Sequence, residues 1–367
     1  MLIKSINIIN FRNYEHLKLD FDKKINIFYG KNAQGKTNLL EAIYFIGLTK
    51  SHRTFFDQEL IKDNSDFFSI QGDIELDYSY TFKIDMINNR KKCYIDANFI
   101  KKHEDYIGKF KVVMFCPDDL NIIKDLPNLR RNYLDTQISQ HSTKYYGVLT
   151  EFNKLLKSRN NMLKDKYNGE KIDITYFEIL TKFMINKMVY IYHARCKYIE
   201  RINEVIGEIY YELTGYKGLF LSYKTDVNLD FINNNVDKLL EDLFFKNQEK
   251  EFVVGSTLYG PQKDDIEFIL ENKNLKKFGS QGQQRMAVIA LKLASIEILK
   301  KYNMCAPVLL LDDVFSELDE EKRANLLKYI NGNVQTFITT TDLSSLDINI
   351  LENAKIFNVE TGKIIER

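Results

Sequence analysis

The sequence predicts an α/β fold in which a head with a mixed β-sheet is interrupted by an inserted, mainly helical lobe. Three observations support this prediction. A strand-like segment, a glycine-rich loop and a helical pattern follow one another at residues 25–46. A short apolar run at 308–311 ends in two aspartates, as a buried strand of a parallel sheet does. Between them, long segments carry apolar residues at helical spacing.

The glycine-rich loop has the form G-x-x-x-x-G-K-[ST]. Its residues are Gly30, Lys31, Asn32, Ala33, Gln34, Gly35, Lys36 and Thr37. A strand before it and a helix after it are the context that this motif needs, which disfavours a glycine turn with a chance lysine. The backbone N–H groups are expected to bind phosphate, with Lys36 on the β- and γ-phosphates and the Thr37 hydroxyl on Mg²⁺. The predicted cofactors are therefore ATP and Mg²⁺.

Two carboxylates follow the apolar run. Asp312 and Asp313 stand at its C-terminal end, where open α/β sheets bind their ligands. Asp312 is predicted to hold Mg²⁺, since a hard cation prefers oxygen ligands, and Asp313 to polarise the attacking water. Many strands end in Asp, so the run alone is a weak signal. Together with the phosphate loop it predicts Lys36, Asp312 and Asp313 as catalytic residues.

A third segment indicates the class of nucleotide site. Ser280, Gly282 and Gln283 precede a long helical pattern at 286–294. Ser280 stands where an N-cap is expected, and Gly282 lacks a side chain where a phosphate could approach. This segment resembles the signature loop of ABC-type ATPases, which closes over the γ-phosphate held by a second subunit; an ordinary capped helix is the alternative. We therefore predict an ABC-type P-loop ATPase head in which these three residues complete the site.

The composition is that of an ordinary globular protein. With 44% hydrophobic and 28% charged residues, 367 residues suffice for two domains and a substantial core. No apolar stretch is long enough to span a bilayer, and the N-terminus reads as a strand rather than a signal peptide. The four cysteines lack C-x-x-C spacing, which predicts neither a zinc site nor a disulfide framework and fits the cytoplasm.

Local charge says more about partners than the net charge of +1 does. Residues 88–111 contain seven Lys or Arg against three acids, and residues 124–166 contain nine against four. Basic surfaces of this kind bind nucleic-acid phosphates. A solvated lysine-rich helix face explains the same pattern, and charge alone leaves both interpretations open.

Strand-like sequence occupies both ends of the chain. Segments 68–76 and 78–84 are predicted to form a hairpin. Strand-like sequence returns at 219–223 and at 253–257. These segments are assigned to the head.

The middle of the chain reads as helical. Segments 145–166 and 176–211 lack proline and carry apolar residues at helical spacing, and Gly215 ends this block. Sustained heptads are not evident, so long coiled-coil arms are not expected. The predicted domains are an ATPase head (lobe I) at 1–117 and 216–367, and an inserted helical lobe (lobe II) at 118–215.

More specific motifs extend over most of the chain. They are I-N-F-R-N-Y at 9–14, S-H-R-T at 51–54, P-D-D-L at 117–120, R-R-N-Y-L-D at 130–135, G-P-Q-K-D-D at 260–265 and L-L-D-D-V-F-S-E-L-D at 310–319. With these motifs the chain resembles, essentially end to end, the bacterial RecF family of recombination and repair ATPases, which is related to the SMC-type ABC ATPases.

The resemblance implies an ATP-dependent homodimer that binds single-stranded DNA and gapped or junction duplexes. It implies work with RecR and RecO that helps RecA replace single-strand-binding protein, in support of DNA replication and the SOS response. It further implies that Arg53 contacts the phosphates and that residues 316–319 communicate across the dimer.

Two departures from the expected motifs predict slow ATP hydrolysis, and the resemblance implies that DNA stimulates it. Thr339, Thr340 and Thr341 stand where transporter ATPases place a switch histidine, and Asp313 replaces a longer Glu. Gln262 and Lys263 also differ from the His and Arg usual in the family. The alternatives are an SMC-type DNA tether, a transporter ATPase subunit and a nuclease. The insert is too short for the arm of a tether, and no coupling partner of a transporter is visible. A nuclease would need a cluster of metal-binding acids outside the ATP site, and the sequence offers no candidate.

Overall fold

The computed structural model describes residues 1–227, 236–330, 334–346 and 348–366, and the chain divides into two compact units. Unit 1 comprises Met1–Leu120, Glu208–Lys217 and Arg285–Arg367, and unit 2 comprises Asn121–Gly207 and Gly218–Gln284. The lobe predicted at 118–215 begins next to the start of unit 2, whereas unit 2 also takes in residues assigned above to the head.

The secondary structure combines β-strands and α-helices, as expected for an α/β protein. The strands are β1 (Leu2–Phe11), β2 (Tyr14–Asp20), β3 (Ile25–Tyr29), β4 (Phe67–Glu75), β5 (Ser79–Ile87), β6 (Arg90–Ile95), β7 (Asn98–Ile100), β8 (Val112–Phe115), β9 (Leu219–Lys224), β10 (Asp265–Leu270), β11 (Lys273–Asn274), β12 (Val308–Asp312), β13 (Thr336–Thr340), β14 (Ala354–Glu360) and β15 (Lys363–Glu366). The α-helices are α1 (Lys36–Leu48), α2 (Asn121–Lys124), α3 (Pro127–His141), α4 (Thr143–Tyr167), α5 (Ile174–Asn203), α6 (Ile206–Thr214), α7 (Val236–Val254), α8 (Leu275–Phe278), α9 (Gln281–Asn303), α10 (Glu320–Ile330) and α11 (Ile348–Asn353).

Within its described residues, unit 1 contains two six-stranded sheets. The first is antiparallel, with strand order β2-β1-β4-β5-β6-β7, and it contains the predicted hairpin as β4 and β5. The second has the order β15-β14-β3-β13-β12-β8, in which all neighbours are parallel except β14 and β15. The mixed sheet of the predicted head is thus confirmed.

The second sheet positions the site because β13 separates β3 from β12. All five residues of β12 are buried, as expected for an apolar run at the centre of a parallel sheet. The carboxyl ends of these three strands meet at one edge, where the loops after β3 and β12 begin.

Helix α1 packs against strands of both sheets. Aromatic rings fill the contact between α1 and the first sheet. Phe11 and Phe45 each pack edge-to-face on Phe68, and they pack on one another at a tilt. The helix begins after Gly35 and ends at Leu48, and the next residue, Thr49, has a left-handed φ of 53°. This packing fixes the residues that follow the phosphate loop.

Unit 2 is mainly helical and contains a small antiparallel sheet of order β11-β10-β9. The predicted helix at 145–166 is α4, and Ser142 caps it by accepting a hydrogen bond from the Tyr145 backbone N–H. The predicted helix at 176–211 is divided in two, with α5 ending at Asn203 and α6 beginning at Ile206. From Glu208 onward α6 belongs to unit 1, whereas residues up to 215 are assigned above to the inserted lobe.

The predicted strand at 253–257 is wrong. Val253 and Val254 are the last residues of α7, and Gly255 follows with a left-handed φ of 72°. Leu240, Phe244 and Phe252 are buried at helical spacing along this helix. Burial of that face outweighs the β-propensity of two valines.

Among the described residues, none of the helices has the length and apolar character required to cross a membrane.

Candidate nucleotide site

The phosphate loop depends on two glycines with positive φ. Gly30 has a φ of 156° and Gly35 a φ of 111°. A Cβ on Gly30 would lie 2.3 Å from the Val359 carbonyl oxygen, and one on Gly35 would lie 2.5 Å from Asn13 Nδ2. Position 30 therefore requires glycine for space as well as for conformation, and position 35 requires it for its conformation.

Lys36 lies buried against this loop. Its Nζ donates hydrogen bonds to the carbonyl oxygens of Gly30, at 2.6 Å, and Lys31, at 2.8 Å. Burial lowers the pKa of Lys36, while the carboxylates of Asp313 and Asp312 oppose that shift. The ammonium group is thus held by backbone carbonyls inside the loop, within reach of an anion bound there.

Thr37 and Asp312 meet at the edge of the sheet. Asp312 Oδ1 accepts hydrogen bonds from the Thr37 hydroxyl, at 2.9 Å, and from the Thr339 hydroxyl, at 2.7 Å. Burial raises the pKa of Asp312, and both hydroxyl bonds counteract that rise. A hydroxyl and a carboxylate in contact are oxygen donors of the kind that Mg²⁺ prefers, so these residues fit the predicted metal.

Asp313 turns away from the strand beside this pair. Its φ is 51°, and its backbone N–H donates to the Thr339 hydroxyl at 3.0 Å. Its Oδ1 is buried, with no hydrogen-bond partner among the described residues. A buried carboxylate oxygen without a partner is costly, and a water or metal-bound water would satisfy it.

Sequence reasoning recognised the threonine segment only as the place of a missing histidine. In the structure Thr339 lies on β13, and its hydroxyl connects Asp312 to the backbone of Asp313. The signal that could have found it is the position of a hydroxyl at the end of the strand between β3 and β12.

Arg53 lies close to the start of α1. Its Nη1 donates to Asn38 Oδ1 at 3.0 Å and lies 3.7 Å from Glu41 Oε2. Glu41 is fully buried and accepts two hydrogen bonds of 2.9 Å from Arg12. Burial would raise the pKa of Glu41, but the bonds from Arg12 and Ser51 outweigh it and lower the pKa. An acid among the apolar residues of a predicted helix was the available signal for this network.

The remaining loop residues have different surroundings. Lys31, Asn32 and Ala33 are exposed. Gln34 faces the C-terminal hairpin, because its Oε1 accepts a 2.5 Å hydrogen bond from the Thr361 backbone N–H and its carbonyl oxygen accepts one of 3.1 Å from Gly362.

The predicted signature residues belong to unit 2. Ser280 Oγ accepts a hydrogen bond from the Gln283 backbone N–H at 3.2 Å, and Gln283 Oε1 accepts one from the Ser280 backbone N–H at 2.9 Å. This reciprocal pair is a capping box at the start of α9. A Cβ on Gly282 would meet only Ser280 Oγ, at 3.9 Å, so packing within the described chain does not require glycine there.

Several of the arginines in the predicted basic segments are engaged inside unit 2. Arg130 forms a bidentate ion pair with Asp265, with distances of 2.6 and 3.0 Å. Arg159 is buried and pairs with Glu251 at 2.6 Å. These two arginines are therefore bound to carboxylates inside unit 2.

No cluster of three or more His, Cys, Asp or Glu side chains suited to a metal occurs in the described part of the chain. The four cysteines are free thiols. His52 packs edge-to-face on Tyr44, with centroids 5.5 Å apart, and burial lowers its pKa to about 4.

The chain is similar to known proteins over nearly its whole length. The family described as "RecF/RecN/SMC N terminal domain" matches residues 2–364. The chain is 36% identical over 369 residues to a protein of Lactobacillus johnsonii named "DNA replication and repair protein RecF", covering 99% of each chain. It is 37% identical over 372 residues to the protein of the same name from Staphylococcus aureus, covering 100% of both.

Solved structures show the same similarity. A structure of "the recombination mediator protein RecF-ATP in RecFOR pathway" superposes with a TM-score of 0.91 at 31% identity, covering 100% of this chain and 97% of the other. The Smc head domain from Pyrococcus furiosus superposes with a TM-score of 0.54 at 16% identity, covering 100% and 96% of the two chains, which indicates a shared fold.

Proposed function

The chain belongs to the RecF family, and from that membership we propose that it is an ATP-dependent DNA-binding protein of recombinational repair. The observation that supports ATP binding and hydrolysis is the contact between Thr37 and Asp312 beside the buried Lys36. Groups suited to binding phosphate and a metal ion thereby lie next to one another.

We assign the roles by position. The backbone of residues 30–37 and Lys36 would bind the phosphates, and Thr37 and Asp312 would hold Mg²⁺, which supplies charge neutralisation on the phosphates. Asp313, with an unpaired carboxylate oxygen, would orient the attacking water. An aspartate at this position and a hydroxyl in place of a histidine both favour slow turnover.

Ser280, Gly282 and Gln283 would contact the γ-phosphate of the nucleotide that a second copy of the chain binds. The capping box holds Ser280 and the first N–H groups of α9 at an exposed position, and Gly282 leaves open space. Backbone N–H groups at a helix N-terminus attract phosphate. ATP would therefore join two subunits by filling two shared sites, and hydrolysis would release them.

DNA is the proposed macromolecular partner, as gapped duplex, junction or single strand, with RecO and RecR as proposed helpers in loading RecA. Support comes from the family and from exposed lysines in segments 88–111 and 124–166. DNA stimulation of ATP hydrolysis and a role in the SOS response belong to the same proposal.

Sedimentation velocity with and without ATP tests the nucleotide part. We expect ATP and Mg²⁺ to convert monomer to dimer, and absence of any ATP-dependent association would overturn the shared site.

Anisotropy titrations of gapped, duplex and single-stranded DNA, with and without ATP and at several salt concentrations, test the proposed DNA binding. Affinity should fall with salt because phosphate contacts dominate.

A further inference from the structure

Arg53, at the candidate nucleotide site, makes fewer hydrogen bonds than Arg12 beside it. The Arg53 side chain is 43% exposed, and its Nη1 makes one hydrogen bond of 3.0 Å to Asn38 Oδ1. Its distance of 3.7 Å from Glu41 Oε2 is too long for a hydrogen bond. A neutral amide oxygen is thus its closest acceptor among the described side chains.

Glu41 does not depend on Arg53. Arg12 binds both of its carboxylate oxygens at 2.9 Å, and the Ser51 hydroxyl adds a third bond of 2.5 Å. Arg12 is further fixed by a 2.8 Å bond from Nη1 to the Glu59 carbonyl oxygen. Removal of the Arg53 guanidinium would leave this buried acid paired and hydrogen-bonded, so the side chain can move at little cost.

The backbone around Arg53 is anchored. The backbone N–H groups of Arg53 and Thr54 donate to Ser51 Oγ at 2.9 and 3.2 Å, and the Thr54 hydroxyl donates to Glu59 Oε2 at 2.5 Å. Movement of the guanidinium therefore needs only side-chain rotation.

Asn38 joins this arginine to the phosphate loop. Its Nδ2 donates to Asn13 Oδ1 at 2.8 Å, and Asn13 Nδ2 donates to the Gln34 carbonyl oxygen at 3.3 Å. Asn38 follows Thr37 directly, in the first turn of α1. The acceptor that holds Arg53 is thus fixed with respect to the residues that bind the phosphates.

We propose that Asn38 is a positioning residue that holds the Arg53 guanidinium in a resting place and yields it to the terminal phosphate of a bound nucleoside triphosphate. A phosphate oxygen forms a charge-assisted, often bidentate bond with arginine, which is stronger than the bond from a neutral amide. Arg53 therefore binds the phosphate in preference to Asn38, but the bond to Asn38 that is broken reduces the affinity gained from the terminal phosphate. This inference rests on the proposed nucleotide-binding function.

The test is the ratio of affinities for ATPγS and ADP, measured by titration calorimetry at concentrations where the protein sediments as a monomer. Effects on the loop itself act on both nucleotides and cancel in this ratio. Asn38→Ala should raise the preference for ATPγS about three- to tenfold, the value of one net hydrogen bond. Asn38→Asp should lower it, since a carboxylate holds the guanidinium more tightly.

A double-mutant cycle separates this role from a structural one. In an Arg53→Ala background, Asn38→Ala should leave the ratio unchanged. An unchanged or lowered ratio in Asn38→Ala alone, or an equal rise with and without Arg53, would overturn the proposal. Asn38→Ser supplies the same comparison if the alanine variant melts early. ATP-dependent dimerisation is read separately by sedimentation, so the two proposals can fail independently.

Discussion

The Thr37 hydroxyl donates a 2.9 Å hydrogen bond to the Asp312 carboxylate, although 275 positions separate the two residues in the sequence. The contact exists because α1 follows β3, Asp312 ends β12, and β13 lies between those strands. Thr339 on β13 donates to the same carboxylate oxygen. The proposed metal donors are therefore positioned by the second sheet of unit 1 and by the start of α1.

Asp312→Asn should abolish metal-dependent catalysis while the fold is retained. The amide oxygen can still accept from both hydroxyls, but the negative charge is lost. We expect ATP hydrolysis to fall about a hundredfold or more, which corresponds to about 2.7 kcal/mol of barrier. Turnover measured across a Mg²⁺ titration checks this, with thermal unfolding as the control. Wild-type turnover in a folded Asp312→Asn protein would contradict the assignment.

Two glycine substitutions should differ in their effect on stability. Gly30→Ala places a Cβ 2.3 Å from the Val359 carbonyl oxygen, so the protein should unfold at a lower temperature. Gly282→Ala meets no atom closer than 3.9 Å, and at the start of α9 it should leave stability equal or up to about 1 kcal/mol higher. Thermal unfolding measures both. A stable Gly30→Ala variant would indicate a different loop conformation.

Ser280→Arg should block ATP-dependent dimerisation without weakening ATP binding by the monomer. The bulky side chain would fill the space proposed for the partner's γ-phosphate. Ser280→Ala is the matched control, because it breaks the capping box and should cost about 1 kcal/mol while leaving that space open. Sedimentation velocity and calorimetry separate association from binding. Dimerisation retained in Ser280→Arg would argue against a site shared between subunits.

Local patterns were sufficient to predict the secondary structure around the candidate site. The loop at 30–37, the strand before Asp312 and the N-cap at Ser280 are recognisable because each depends on neighbours in sequence. The partners of Glu41 could not be predicted, since Arg12 reaches it from the turn between β1 and β2, 29 positions away in the sequence. The segment at 253–257 misled because tertiary burial, which no local window contains, decided between helix and strand.

His52 should make stability sensitive to acid. Its pKa in the folded protein is lowered to about 4 by burial, against about 6.5 for the unfolded chain. Between these values the unfolded state binds more protons, so stability should fall as the pH drops from 6.5 toward 4, by at most about 1.4 kcal/mol per pH unit. Urea unfolding across this range should show a shallower loss in His52→Gln than in wild type. His193→Gln, at an exposed position, should follow wild type.

The buried ion pair between Arg159 and Glu251 should contribute strongly to the stability of unit 2. Arg159 is 1% exposed and its partner 0%, and the guanidinium also donates to Thr181 at 2.9 Å and Thr257 at 2.8 Å.

Arg159→Ala would leave Glu251 buried without its counter-charge, a loss of about 3–5 kcal/mol in the free energy of unfolding. Lys187→Ala removes an ion pair with Glu151 whose side chains are 32% and 58% exposed, and it should cost less than about 1 kcal/mol. Urea unfolding compares them, and similar losses would contradict the argument. Replacing Arg159 and Glu251 together by Met and Leu should recover much of the stability, because apolar packing then replaces two desolvated charges.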